Sequence, residues 1–543
     1  MKYILLIVTL LQIQSIAAQQ QQPDINPLDL EFHRLAVRRF IFSNNLPLTE
    51  FKPSEIVAFG SMHPPFAVNT TASALPDTTF KPTLKSGKLL LEASTSAMKE
   101  ACFYVGAVNP YATYDVDIDE LTDGAEVGID LARLGLRERV QVMAAEGKGL
   151  YFRLWEDAKQ ITERRFTDIL PDCPFKLRVQ LYGRTLGVFT EKEGVTTYHG
   201  HLDDHPYSAK TDTFHFGNVL DFRNITLNSH CTFNVVYNLK GQAVIGGARS
   251  YLSAGIGQAD IRLISYEDLT PYISDDGRLW FTFTMRGIGI RQPSQGVLSL
   301  DPSVFDVRFE GAIAFDFGDG LLRNAVASHL FYDRNAKEWR GISCDFGGSK
   351  NRDGRSESNL FTIRSAKDPR RGFSIMQAEL ITNDRLIESH EDPCLFYDGD
   401  ARKWRLLTSG FAHGGIEARM FEADTWDGKY TEITPAIKRN STGTVIQKIG
   451  DAYYCLMGGA GENLRVHSYP DLTFLGYLNL DLQPHWPQPA ARIWAQVVPL
   501  PEGYPYRYIL LTMDRPNFPG VKNNTWSYGA LYFYGANFLN NNN

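Results

Sequence analysis

Two acidic pairs, Glu267-Asp268 and Glu391-Asp392, each stand at the head of a run of apolar and aromatic residues. Carboxylates delivered from separate segments to one pocket can divide acid–base work. One is held protonated to donate to a leaving oxygen, and the other stays ionised to activate water or attack carbon. That is the chemistry of glycosidic-bond cleavage. Crowding the acids raises some of their pKa values and helps keep one protonated near neutral pH. His230, His329, Thr442 and Gln496 stand at comparable places before other apolar runs. Arg286 and Arg419 offer the planar fork that grips a uronate or sulfate group, or hold a neighbouring carboxylate. Trp494 and Trp526 are candidates for stacking on a sugar ring or for core packing.

These groups meet only if the chain makes a ring. An apolar strand, a turn with Asp, Gly or Asn, and a second strand rich in Trp, Tyr or Leu recur from His230, Glu267, Ser328, Glu391, Thr442 and Trp494. Units of this size with a hairpin in each predict propeller blades. Asp268 to Trp280 and Asp392 to Trp404 have the same spacing, which sets a common register. The first strand of each blade lines the central channel, so polar residues just before it converge on one mouth. The expected fold is all-β, with a jelly-roll-like sandwich over residues 45–205 and a propeller of five or six blades over residues 213–538. The sandwich rests on short strands such as KLLLEA from Lys88 and the hairpin across Gly183-Arg184. Between them, His199 to Asp212 reads as a polar linker, and His199, His201, His205, Asp203 and Asp204 as a metal cluster or simply its solvated side chains. Helices are expected over Leu28 to Asn44 and around Ala97 to Ala101.

Residues 1–18 combine Lys2, the apolar stretch Ile4 to Leu11 and small residues at Ser15 to Ala17, which reads as a secretory leader. Secretion, extracellular or periplasmic, follows as an expectation, and no segment has the apolar length of a transmembrane helix. The net charge of −7 sets nucleic acid aside, because such binding draws on phosphate neutralisation. The six cysteines have no metal-ligand spacing and read as buried small hydrophobes or one or two disulfides. No organic cofactor and no metal is implied; the expected partner is a polysaccharide or oligosaccharide.

From about Asn218 to Gly535, the chain resembles the five-bladed propeller glycosidases, the furanosidase-like group of families 43, 32 and 130. The resemblance rests on Glu267-Asp268 and Glu391-Asp392-Pro393, on the strands GRLWFTFT and RKWRLLTSG, and on IEARMFEADTWDGKYTEI. It implies that Asp268 is base or nucleophile and Glu391 the acid, with Asp392 or His329 tuning the acid. His230 would support, and Glu267, Arg286, Arg419 and Trp494 would bind substrate. Two other readings stay open: a polysaccharide lyase in which His329 or His230 abstracts a proton beside a uronate, and a glycan-binding protein without turnover.

Overall fold

The computed structural model describes residues 25–55, 66–68, 82–93, 100–122, 124–202, 216–286, 293–345, 360–381, 390–412, 415–459, 463–481, 494–514 and 529–537. The leader read at residues 1–18 lies outside them, as does Trp526. Among the described residues, no helix is long and apolar enough to cross a membrane.

Strict alternation builds the first unit. In Phe175–Tyr182, Leu177, Val179 and Leu181 are fully buried on one face, while Arg178 and Gln180 point to the other. Sheets of seven and eight strands pack face to face across a core that includes Leu89, Val116, Ile129, Val142 and Val235. The edge strand Lys159–Thr167 is charged and largely exposed, which discourages pairing with another chain.

The sandwich takes more of the chain than its early strands suggest. Cys231–Tyr237 lies between Glu126–Arg133 and Glu100–Ala107, and Gly241–Leu252 pairs with Thr113–Thr122 and Lys88–Ala93. The hairpin from His230, expected in the propeller, thus completes the sandwich. Alternating apolar residues specify a hairpin but not the sheet it joins, so its text alone could not assign it. The expected linker also differs. His199 and His201 belong to the strand Val195–Leu202 and hydrogen-bond Thr190 at 2.7 Å and Tyr198 at 2.5 Å. Asp203, Asp204 and His205 lie outside the described residues.

Five four-stranded blades follow. Their inner strands are Gly257–Leu263, Val326–Asp333, His390–Asp398, Thr442–Ile449 and Gln496–Pro499. Blades 1 and 2 are fused, because their outermost strands pair in parallel from Gly311↔Gly372 to Asp316↔Gln377. Blade 5 has three strands of its own and takes its fourth from the other end of the chain: Glu31–Arg38 pairs with Ala530–Ala536. This strand is where a helix was expected. LDLEFHRLAVRRF has a mixed apolar pattern, and ring closure supplies a ladder of backbone partners that outweighs local propensity. Of the helical piece expected around Ala97 to Ala101, residues 97–99 lie outside the described residues, and Glu100 and Ala101 begin the strand Glu100–Ala107.

Truncation to remove residues 1–38 exposes Ala530–Ala536, every residue of which is buried, as an open apolar edge. The expected outcome is loss of soluble monomer and of a cooperative melt, checked by size exclusion and calorimetry.

Candidate active site

Each of the first four inner strands carries the same irregularity near its start. Ala259 pairs with Thr284 and Arg262 with Thr282, so Asp260 and Ile261 together face one partner position. Ala327-Ser328, Asp392-Pro393 and Gly443-Thr444 do the same in blades 2, 3 and 4. The first bulged residue is left-handed each time: Asp260 (φ 54), Ala327 (φ 55), Asp392 (φ 56) and Gly443 (φ 64), with Trp494 (φ 61) at the matching place in blade 5. Such bulges bend a strand and re-aim its side chains. Asp tolerates the left-handed region better than most residues, which suits it to two of these corners.

The bulges bring three carboxyls together. Asp260 comes from blade 1, and Glu391 and Asp392 from blade 3; all three are 8% exposed or less. Arg286 lies 3.3 Å from the Asp260 carboxylate. The Asp392 carboxylate accepts from the Thr442 hydroxyl at 2.8 Å and the Gly443 N–H at 2.7 Å. Glu391 has no hydrogen-bond partner for its carboxyl among the described residues. Burial, with Asp392 and Asp260 close by, pushes Glu391 well above the usual carboxylate range. Burial and Asp260 also raise Asp392, to about 7, against the lowering effect of its hydrogen bonds. Glu391 is therefore the carboxyl that stays protonated. Asp260 has the Arg286 guanidinium beside it.

The residues two positions past the bulges turn down the channel. Arg262, His329, Cys394, Val445 and Gln496 line one small cavity. They also fasten the ring. The Leu395 N–H donates to His329 Nδ1 at 3.1 Å, Ile446 N–H to the Cys394 sulfur at 3.3 Å, and Leu263 N–H to Gln496 Oε1 at 2.9 Å.

Several expected site residues stand elsewhere. Asp268 and Glu267 follow the far end of the first inner strand, beyond Ser265-Tyr266, and share Arg334, which is 2.7 Å from each. Asp268 also accepts from Thr270 N–H as a turn residue. The equal spacing to Trp280 and Trp404 misled here. In blade 1 an extra turn separates the inner strand from Trp280, whereas in blade 3 the strand runs straight into the hairpin. Aligned on the bulges, Asp392 matches Asp260. His230 is exposed beside a short helix of the sandwich, its ring nitrogen 2.8 Å from Thr226 O. His329 is a channel brace; burial and Arg262 lower its pKa to about 3. With Nδ1 accepting from Leu395, neither it nor His230 is placed to take a proton from a substrate at the carboxyls. Arg419 is held in its own blade by Glu417 at 3.0 Å and Glu432 at 3.4 Å. Trp494 is 1% exposed beneath the Arg262 guanidinium, with no face for a sugar. Glu391, Asp392 and Arg286 are where the ring brings them together. Asp260 was missed; its signal is an acid followed two residues later by Arg inside the apolar run AGIGQADIRLISY.

Of the cysteines, five are buried, Cys173 is half-buried and none is in a disulfide. Among the described residues, no set of three or more His, Cys, Asp and Glu is arranged to hold a metal ion.

Neither a family model nor a curated protein matches the sequence. Solved structures do resemble it at low identity. An α-L-arabinofuranosidase from Lactobacillus brevis is 12% identical over 53% of this chain and 95% of its own, with a TM-score of 0.37. A thermostable family-43 glycoside hydrolase is 11% identical over 52% and 88%, with a TM-score of 0.35. A carbohydrate-binding module, CBM66 from Bacillus subtilis, is 11% identical over 32% and 92%, with a TM-score of 0.22. At these values none of them speaks to what this chain acts on.

Proposed function

We propose that this protein hydrolyses a glycosidic bond at the propeller mouth, with Glu391 as general acid and Asp260 as the base or nucleophile. The observation that carries the reading is Glu391 itself: a buried carboxyl without a hydrogen-bond partner among the described residues, close to Asp392 and an Arg-paired Asp260. A glycosidase needs one acid protonated and a second ionised. Burial, with Asp392 and Asp260 close by, favours the protonated form of Glu391, while Thr442 and Gly443 hold the Asp392 carboxyl in place. Arg286, 3.3 Å from Asp260, holds that carboxylate in place for the attacking role. The substrate is a polysaccharide or oligosaccharide, and the leader read at residues 1–18 puts the work outside the cell.

The test is a panel of polysaccharides and aryl glycosides, following both new reducing ends and ultraviolet absorbance. Hydrolysis gives reducing ends without the unsaturated product of a lyase. Binding without turnover across the panel would refute it. The acid–base assignment has its own control. Asp260→Asn is expected to abolish turnover, whereas Asp268→Asn, on a half-exposed turn at the far end of the ring, leaves kcat/KM unchanged.

A further inference from the structure

Beneath the carboxyls, the ring channel holds a feature that glycoside chemistry does not use. A cavity of about 20 Å³, room for one water-sized occupant, is lined by Arg262, His329, Cys394, Gln447, Lys448 and Gln496 among others, and by no Asp or Glu. The acceptors of Gln496, Gln447, His329 and Cys394 are taken. Gln496 Oε1 accepts from Leu263 N–H, and Gln447 Oε1 from Val497 N–H at 2.6 Å. His329 Nδ1 and the Cys394 sulfur accept from the neighbouring blades.

What remains is donors. Arg262 is 1% exposed; its Nη2 donates to the backbone oxygens of Asp392 and Thr444, both at 2.7 Å, but its Nε has no partner among the described residues. Gln496 is 2% exposed, and its Nε2 is likewise unpartnered. With Nδ1 accepting, a neutral His329 carries its hydrogen on Nε2. Arg262 binds the main chain of Asp392, not its carboxylate, which Thr442 and Gly443 already occupy. Among the described residues, the Arg262 guanidinium is hydrogen-bonded by carbonyl oxygens and covered by an aromatic face, with Asp392 and Asp260 acting on it only through space; a small space edged by such a cation and further donors is the reverse of a metal site. It suits a negative guest, since an unmade bond to a buried charged donor is costly.

We infer that this cavity binds one small monovalent anion of the halide class, held by Arg262 with Gln496 and His329. The guest would sit between blades 1, 2 and 5 and stabilise the ring without touching substrate.

Two measurements decide it. Crystals of the full chain grown in sodium bromide should show one strong anomalous peak within hydrogen-bond reach of Arg262; a water-like peak without anomalous signal there overturns the inference. In solution, the melting temperature should be several degrees higher in sodium chloride or bromide than in sodium gluconate at equal ionic strength, since a ligand that binds only the folded state raises it. Gln496→Glu, which puts a carboxylate beside the cavity, should abolish the halide increment. Equal melting temperatures of the unmodified chain in the three salts also overturn it, whether or not a variant folds.

Discussion

Glu391→Gln is expected to lower kcat by about 10³-fold, within the roughly 10²–10⁴ that a positioned general acid supplies. The amide has the shape of the acid but no acidic proton for the leaving oxygen. Because the Glu391 carboxyl has no hydrogen-bond partner to lose among the described residues, the fold should survive. The loss should shrink on aryl glycosides whose phenolate departs without help, which distinguishes a missing acid from a distorted site. Proton linkage adds a second readout. Burial and the neighbouring Asp392 and Asp260 hold the folded-state pKa of Glu391 above that of the unfolded chain. Between those two values the folded state binds the extra proton, so this group's contribution to stability is full below the unfolded pKa and falls as pH rises through the folded one. An amide at this position does not titrate and carries no such dependence. The melting temperature of Glu391→Gln should therefore gain on the unmodified chain as pH rises from about 5 to 8, and the alkaline limb of kcat/KM should change with it. An identical pH–rate profile in the variant would remove Glu391 from the acid role.

The all-β class and the hairpins were legible because period-two alternation and Gly/Asp/Asn turns are local signals. Glu391 and Asp392 were legible too, since they stand at the very start of a strand that runs directly into its hairpin. Asp260 was not, because its position is set by a bulge, and a bulge is a relation between two strands. Its register against Thr282–Thr284 cannot be read from either strand alone. Ring closure escaped for the same reason: Glu31–Arg38 becomes a strand only because Ala530–Ala536 offers an edge. The hairpin at Cys231 shows the limit from the other side, since its local pattern was read correctly and its sheet was not. The five matched left-handed corners explain why a chain with irregular spacing between repeats still places its acids together. The hairpins vary in length outside the ring, while the bulge fixes where each of the first four inner strands bends over the mouth.

Arg139→Met is expected to destabilise the sandwich by about 3–5 kcal/mol, the range for removing one partner of a buried ion cluster. Arg139 is fully buried; it donates to Asp130 at 3.0 Å, to Glu100 at 2.8 Å and to the Cys102 sulfur at 3.2 Å, and lies against the Trp155 ring at 5.5 Å. Asp130 and Glu100 are 0% and 3% exposed, so neither can turn to water when the guanidinium is gone. Gln141, Asn234 and Arg153 still reach them, at 3.2, 3.3 and 3.6 Å, which keeps the loss from being larger. Methionine fills most of the volume, so the deficit should be electrostatic, and pH exposes that. Burial already holds the Asp130 carboxyl above its ordinary range, and losing Arg139 moves it further up. A carboxyl with a raised folded-state pKa contributes less stability as pH rises, so the deficit should be deeper at pH 8 than at pH 5. Replacing the acid with the base, in Asp130→Leu with Arg139→Met, should recover part of the loss, because an apolar pair of similar bulk leaves one fewer charge stranded. Urea unfolding of the single and double variants at both pH values checks it. A deficit that does not change with pH would mean that packing against Trp155, and not charge, is what Arg139 supplies.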